Sequence, residues 1–133
     1  MDQNEILRDL ESQARKAVAH YWKTRADQRS KQESGGKADQ GLRSAVTGGA
    51  HMDGFTHLLT ELIVRAGLPE RFVFRKKALE LPGFFRPMKE WDLLLVKDQT
   101  LVAAIDLESQ AGPSFGNTFD SRVERALGSA LDL

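Results

Sequence analysis

Trp91-Asp92-Leu93-Leu94-Leu95-Val96-Lys97-Asp98-Gln99-Thr100-Leu101-Val102-Ala103-Ala104-Ile105-Asp106-Leu107-Glu108 is the stretch whose reading fixes the architecture. Two short apolar runs joined by four polar residues, Lys97 to Thr100, predict a β-hairpin. Because both runs are nearly all apolar, the strands are expected to be buried on both faces. Antiparallel pairing across so short a connection brings the start of the first strand beside the end of the second, so Asp92 and Asp106 should meet. Glu108, two residues further, is expected to share a strand face with Asp106.

Three carboxylates would then converge at one end of an apolar hairpin. Clustered acids raise one another's pKa unless a cation lies among them. Their hard oxygens suit Mg²⁺, which takes one or two protein carboxylates and leaves its other positions to water and phosphate. Such an ion activates water and stabilises a phosphoryl transition state. The plain alternative is that these are ordinary acids where a sheet meets solvent, and spacing alone leaves both readings open.

Outward from the hairpin, Phe72 to Leu81 reads as another strand, closed by Pro82-Gly83. Residues 5 to 30 form a long amphipathic helix, with Ile6, Leu7, Leu10, Ala14, Val18, Tyr21 and Trp22 on one face. A loop containing Ser34-Gly35-Gly36 and a glycine-rich turn, Val46 to Gly54, separate it from a second helix. That helix carries Phe55, Leu58, Leu59, Leu62, Ile63 and Ala66 and is stopped by Gly67 and Pro69. A last helix starts near Thr118, with Asn117 as N-cap, and Phe119, Val123, Ala126, Leu127 and Ala130 line one side. It is still running at Leu133, so the natural polypeptide is expected to continue and this chain to be a fragment.

Composition narrows the class. The 133 residues fit one domain, and the absence of cysteine excludes disulfide scaffolds, thiolate zinc sites and cysteine nucleophiles. With 41% hydrophobic and 29% charged residues the chain is globular rather than disordered. No apolar run spans a bilayer, the acidic N-terminus is no secretory signal, and a cytoplasmic protein is expected. Nineteen basic residues balance nineteen acidic ones, so no global field draws the chain to nucleic acid. Local basic excess from Arg15 to Lys37 and from Arg71 to Lys97 nevertheless permits phosphate contact.

Several blocks are also familiar. Leu79-Glu80-Leu81-Pro82-Gly83-Phe84-Phe85-Arg86-Pro87, Trp91 to Leu94, Ala103 to Gln110 and Gly112 to Asn117 closely resemble the XhoI family of type II restriction endonucleases. Ala38-Asp39-Gln40-Gly41, Val46-Thr47-Gly48-Gly49 and His51 to Phe55 look like the same family's N-terminal blocks. The resemblance implies a PD-(D/E)xK nuclease: an α/β fold with a mixed central sheet flanked by helices, its core at about 53–133 and incomplete at the C-terminus. It further implies a magnesium site, a duplex-DNA substrate bearing the palindrome CTCGAG, and a homodimer.

Carried over by position, Asp92 matches the first metal-binding acid and Asp106 the second, a change from Glu that keeps the carboxylate. Glu108 departs from the pattern, standing where the resemblance implies a Lys that positions the attacking water. It could act as a base or added ligand, as in some of the wider superfamily, or mark a decayed site. The stretch Thr118-Phe119-Asp120-Ser121-Arg122 also departs from an Asn-rich family block.

Arg43, Arg86 and Lys89 are the candidate phosphate contacts, chosen on charge and nearness to these blocks. Gln110 could orient a water or phosphate, or with Ser109 simply close a strand-end turn. Glu61 could be an additional acid but reads better as an exposed helix residue, and Asp53 as an N-cap. His51 and His57 lack metal-pair spacing, so zinc is not expected. Two functions remain in view: an Mg²⁺-dependent, site-specific deoxyribonuclease, and a catalytically inactive DNA-binding or interaction domain on the same fold.

Overall fold

The computed structural model describes residues 3–34, 49–110 and 115–133. The Ser34-Gly35-Gly36 loop beyond Ser34, Arg43, the turn up to Gly48 and Pro113 fall outside them. The chain divides into two compact units, Met1–Ala66 and Gly67–Leu133, and the second helix therefore groups with the first rather than with the hairpin.

In the first unit α1 (Gln3–Ser34) extends the expected helix at both ends. It packs on α2 (Asp53–Arg65), which follows a single 3₁₀ turn, Ala50–Met52. The crossing is close because the residues are small: a Cβ on Gly54 would lie 3.1 Å from Ala17 Cα. Ala17 and Tyr21 are buried there, and the Tyr21 ring meets those of His51 at 5.3 Å and Phe55 at 6.3 Å, both edge-on. His20 Nε2 lies 3.0 Å from the carbonyl of Ala50, and Arg65 pairs with Asp9. Ile6, Leu7 and Trp22, expected on the buried face, are exposed. Asp53 is the first helical residue, not the cap; Met52 occupies that position with no side-chain hydrogen bond.

The second unit is built on a three-stranded antiparallel sheet in the order β1 (Val73–Arg75), β4 (Leu93–Lys97), β5 (Thr100–Ile105). A separate two-stranded ribbon pairs β2 (Glu80–Leu81) with β3 (Lys89–Glu90), also antiparallel. The described strands are thus all antiparallel rather than mixed. The expected hairpin is present, closed by a two-residue turn in which Asp98 and Gln99 have φ of 49° and 63°. Positive φ at both central positions is the type I′ geometry that matches strand twist. A register shift between Leu95 and Val96 leaves Val102 as the extra residue of β5.

Burial follows sheet position. Central β4 holds the core, with Leu93, Leu94 and Leu95 buried, each contributing about 1.5–3 kcal/mol by transfer. Strand β5, expected to be buried on both faces, is an edge, and Leu101 and Val102 are exposed. The single strand expected from Phe72 to Leu81 is broken. Phe72 ends a 3₁₀ turn (Glu70–Phe72), and after β1 the chain reverses at Lys77, whose φ is 67°. The Ala78 amide donates to the Arg75 carbonyl at 2.9 Å, which closes that turn and sends β2 to a different partner.

The last helix, α3 (Phe115–Leu131), begins earlier than expected, so Asn117 lies inside it and is no cap. Its apolar stripe is not its docking face: Phe119, Val123 and Leu127 are exposed. The helix is held by polar contacts instead. Buried Asp132, just past its end, accepts the Phe85 amide at 2.6 Å and the Arg86 amide at 3.2 Å on Oδ1. Its carbonyl accepts the Phe84 amide at 2.8 Å. Gly83 is required here, because a Cβ would come within 2.5 Å of the Asp132 carboxylate.

Candidate metal centre

The register of the hairpin builds the site. Leu93 pairs with Ile105, which places Asp92 and Asp106 opposite each other where the two strands open. Asp92 Oδ2 accepts the Leu107 amide at 2.7 Å, so one carboxylate tethers the chain leaving β5. The Asp92 carbonyl in turn accepts the Lys76 amide at 3.2 Å, fixing its backbone to the end of β1.

The electrostatics of Asp92 are governed by its partial burial. Burial pushes the Asp92 carboxyl above its ordinary value, and the charge of Asp106 adds to the push. The Leu107 amide and the Lys76 ammonium, 3.6 Å from Oδ1, act in the opposite sense. Asp106 Oδ2 accepts from Lys89 Nζ at 2.9 Å and from the Ser129 hydroxyl of α3 at 3.3 Å. Lys89 is itself nearly buried, its ammonium 4.4 Å from the centroid of the buried Trp91 ring.

Glu108 does not join this pair. Strand β5 ends at Ile105, so Asp106 and Glu108 do not share a strand face. The Glu108 carboxylate turns to α3, where it pairs with Arg122 and, at 3.3 Å, with Arg125. Accordingly no group of three or more His, Asp or Glu side chains among the described residues is placed to hold a metal. Asp92 and Asp106 stand opposite each other without a third acid, a number of carboxylates that Mg²⁺ accepts because it keeps water in most of its positions. The donor set fits in kind: hard carboxylate oxygens, like-charged, with the Asp92 carboxyl pushed above its ordinary value by burial. A third contribution from Glu108 would require its release from two guanidinium groups.

The remaining candidates separate. Arg86 is half-exposed, its Nε 2.7 Å from Asp132 Oδ2, close as an ion pair though not aligned as a hydrogen bond. Lys89, expected at a phosphate, is turned inward onto Asp106 because the short β2–β3 ribbon presents that position to the site. Gln110 is half-buried just beyond the acidic segment, and Arg43 lies outside the described residues. Glu61 sits beside His57, 3.2 Å away on α2, as an ordinary helix pair one turn apart. Sequence reasoning missed Ser129, Arg122 and Arg125. The spacing of the two arginines is visible as i, i+3 on α3, but nothing local says which carboxylate they meet.

Residues 31–133 match the family described as restriction endonuclease XhoI. The type II restriction enzyme AbrI of Azospirillum brasilense is 47% identical over 128 residues, covering 96% of this chain and 57% of that enzyme. The type II restriction enzyme BstVI of Geobacillus stearothermophilus is 48% identical over 108 residues, 77% of this chain and 47% of that enzyme. The type II restriction enzyme XhoI of Xanthomonas vasicola is 41% identical over 129 residues, 96% of this chain and 51% of that enzyme. The chain spans about half the length of these curated relatives. No solved structure matches it.

Proposed function

The chain belongs to the XhoI family of restriction endonucleases, and from that premise we propose that it forms the catalytic part of a type II site-specific deoxyribonuclease. The substrate is duplex DNA with a CTCGAG-like palindrome, read by a homodimer whose two-fold axis matches that of the site. The two units act together as one PD-(D/E)xK nuclease domain in the cytoplasm. The observation that carries this reading is the placing of Asp92 opposite Asp106 at the open end of the hairpin, with Asp92 half-buried and its carboxyl pushed up.

Asp92 and Asp106 would hold Mg²⁺, which when bound supplies a polarised water and countercharge at the phosphate. The chain's own contribution is preorganisation. The Leu107 amide fixes one Asp92 oxygen, and Ser129 fixes Asp106 from a different element, so neither carboxylate is free to rotate. Arg86, Arg43 and Gln110 are the proposed contacts to phosphate, of which Arg86 is half-exposed and braced by Asp132.

One observation favours a second reading, a catalytically inactive DNA-binding domain. Position 108 carries Glu, not Lys, and that Glu is committed to Arg122 and Arg125. Cleavage of a duplex bearing one CTCGAG site, with Mg²⁺ or EDTA, beside a duplex with one base changed, separates the two. The protein is used as this chain and as a fusion to the part of the Azospirillum relative that the match leaves uncovered. EDTA-sensitive cutting at the site by either form is expected. Binding to the duplex without cutting by both forms would establish the inactive domain instead.

A further inference from the structure

Position 108 carries a carboxylate, but the site is not without a fixed ammonium. Lys89 enters it from β3, a strand whose pairing with β2 sets Lys89 opposite Leu81 and so holds its backbone in place. Its side chain is only 10% exposed. A lysine withdrawn from water to that degree is strongly disfavoured unless it is paired. Here the compensation is specific: Nζ donates to Asp106 Oδ2 at 2.9 Å and lies over the Trp91 ring at 4.4 Å. The other lysine of the site, Lys76, is half-exposed and stands 3.6 Å from Asp92, a looser contact.

The charges divide into two sets. Glu108, Arg122 and Arg125 form one, which joins the segment after β5 to α3. Asp92, Asp106, Lys89 and Lys76 form the other, at the open end of the hairpin. In that second set the buried, doubly anchored cation is Lys89.

We propose that Lys89 is a positioning residue of the carboxylate pair, supplying through Asp106 the ammonium that position 108 lacks. The assignment rests on the nuclease reading above. Lys89 sets the orientation of Asp106 and offsets part of its charge, so that the pair holds a divalent cation less tightly than two bare carboxylates would but in one fixed geometry.

The consequence is a pair of effects of opposite sign. Lys89→Met keeps an unbranched chain over Trp91 and removes the charge. Calorimetric titration with Mg²⁺ should then give binding tighter by about threefold or more, because a competing cation has left the site. Single-turnover cleavage of the CTCGAG duplex should fall by about 10²-fold, the usual size of the loss when one preorganised charge is removed. Lys89→Arg, which restores the charge in a different shape, should recover part of the cleavage and return Mg²⁺ binding toward that of the parent.

Both measurements are made on the chain and the fusion. Cleavage by Lys89→Met within threefold of a parent that cuts would overturn this assignment alone. Loss of Mg²⁺ binding together with loss of cleavage would make Lys89 a packing residue and also overturn it. A parent that cuts nothing would sink the nuclease reading and this assignment with it.

Discussion

Asp106 and Glu108 lie two residues apart and end in opposite circumstances. Asp106 faces a second acid, Asp92, across the hairpin, with burial working against the charge of that partner. Glu108 faces two arginines on α3 and has its charge neutralised. The first arrangement sets two acids side by side, with Lys89 against Asp106 and Lys76 beside Asp92 as the cations that offset them. The second stabilises the chain and needs nothing further. Residue type is the same in kind, and what separates a candidate site from a structural clasp is which element the backbone turns each side chain toward.

The comparison is tested most severely by removing one acid from each set. Asp92→Asn or Asp106→Asn should abolish Mg²⁺ binding by calorimetry and reduce cleavage by at least about 10²-fold, while leaving the chain folded. Glu108→Gln should leave Mg²⁺ binding intact and shift the urea midpoint instead. If Glu108→Gln lost the cation as completely as Asp92→Asn, the two sets would be one.

Glu108→Lys sharpens the same point with a smaller effect. It installs the residue implied by the family pattern, but opposite Arg122 and Arg125, so like charges replace two ion pairs. Partial exposure of all three groups limits the cost to about 1–2 kcal/mol in urea unfolding. A stability gain would mean that the arginines are not held by Glu108.

Asp132 gives the hold of Phe84–Arg86 on the end of α3 a pH dependence. The Phe85 amide, then the Arg86 amide and guanidinium, hold its carboxyl below the ordinary value of 3.8. A depressed folded value means that the stabilisation is present above the unfolded value and is lost as pH falls through 3.8 toward the lower folded one. Thermal melts between neutral pH and acid should therefore show a steeper acid decline for the parent than for Asp132→Asn. Equal acid limbs would remove Asp132 from the account of how α3 is held.

The smallest effect concerns the turn that sets the register opposing Asp92 to Asp106. Gln99 has a φ of 63° with a side chain that disfavours it. Gln99→Gly should raise stability by about 0.5 kcal/mol, the strain relieved less the added freedom of the unfolded chain.

Much of this was legible in the sequence where the determinant was local. Apolar runs around a polar connection specified the hairpin, and antiparallel geometry alone put Asp92 beside Asp106. The helical periodicities located α1, α2 and α3, with ends in error by a few residues because capping competes with neighbouring turns. What failed depended on distant partners. The reversal at Lys77 carries no glycine to mark it, so Phe72 to Leu81 looked continuous. The exposure of β5 follows from its being an edge, which strand composition does not reveal. The docking face of α3 was not legible from its apolar side, because its partners, Asp106, Glu108 and the Phe84–Arg86 backbone, are polar. Family resemblance implied metal-binding roles for Asp92 and Asp106 but not the inward turn of Lys89, which needs the β2–β3 pairing.

We propose that Asp92 and Asp106 form a cation site from which Glu108 is excluded. Titrating Mn²⁺ into the isotopically labelled chain and following paramagnetic broadening of backbone amides tests it most directly. Broadening should begin at Asp92, Asp106 and Leu107, persist in Glu108→Gln, and vanish from those amides in Asp92→Asn. Broadening spread over exposed acids such as Asp98 and Glu124, and unchanged by Asp92→Asn, would contradict it.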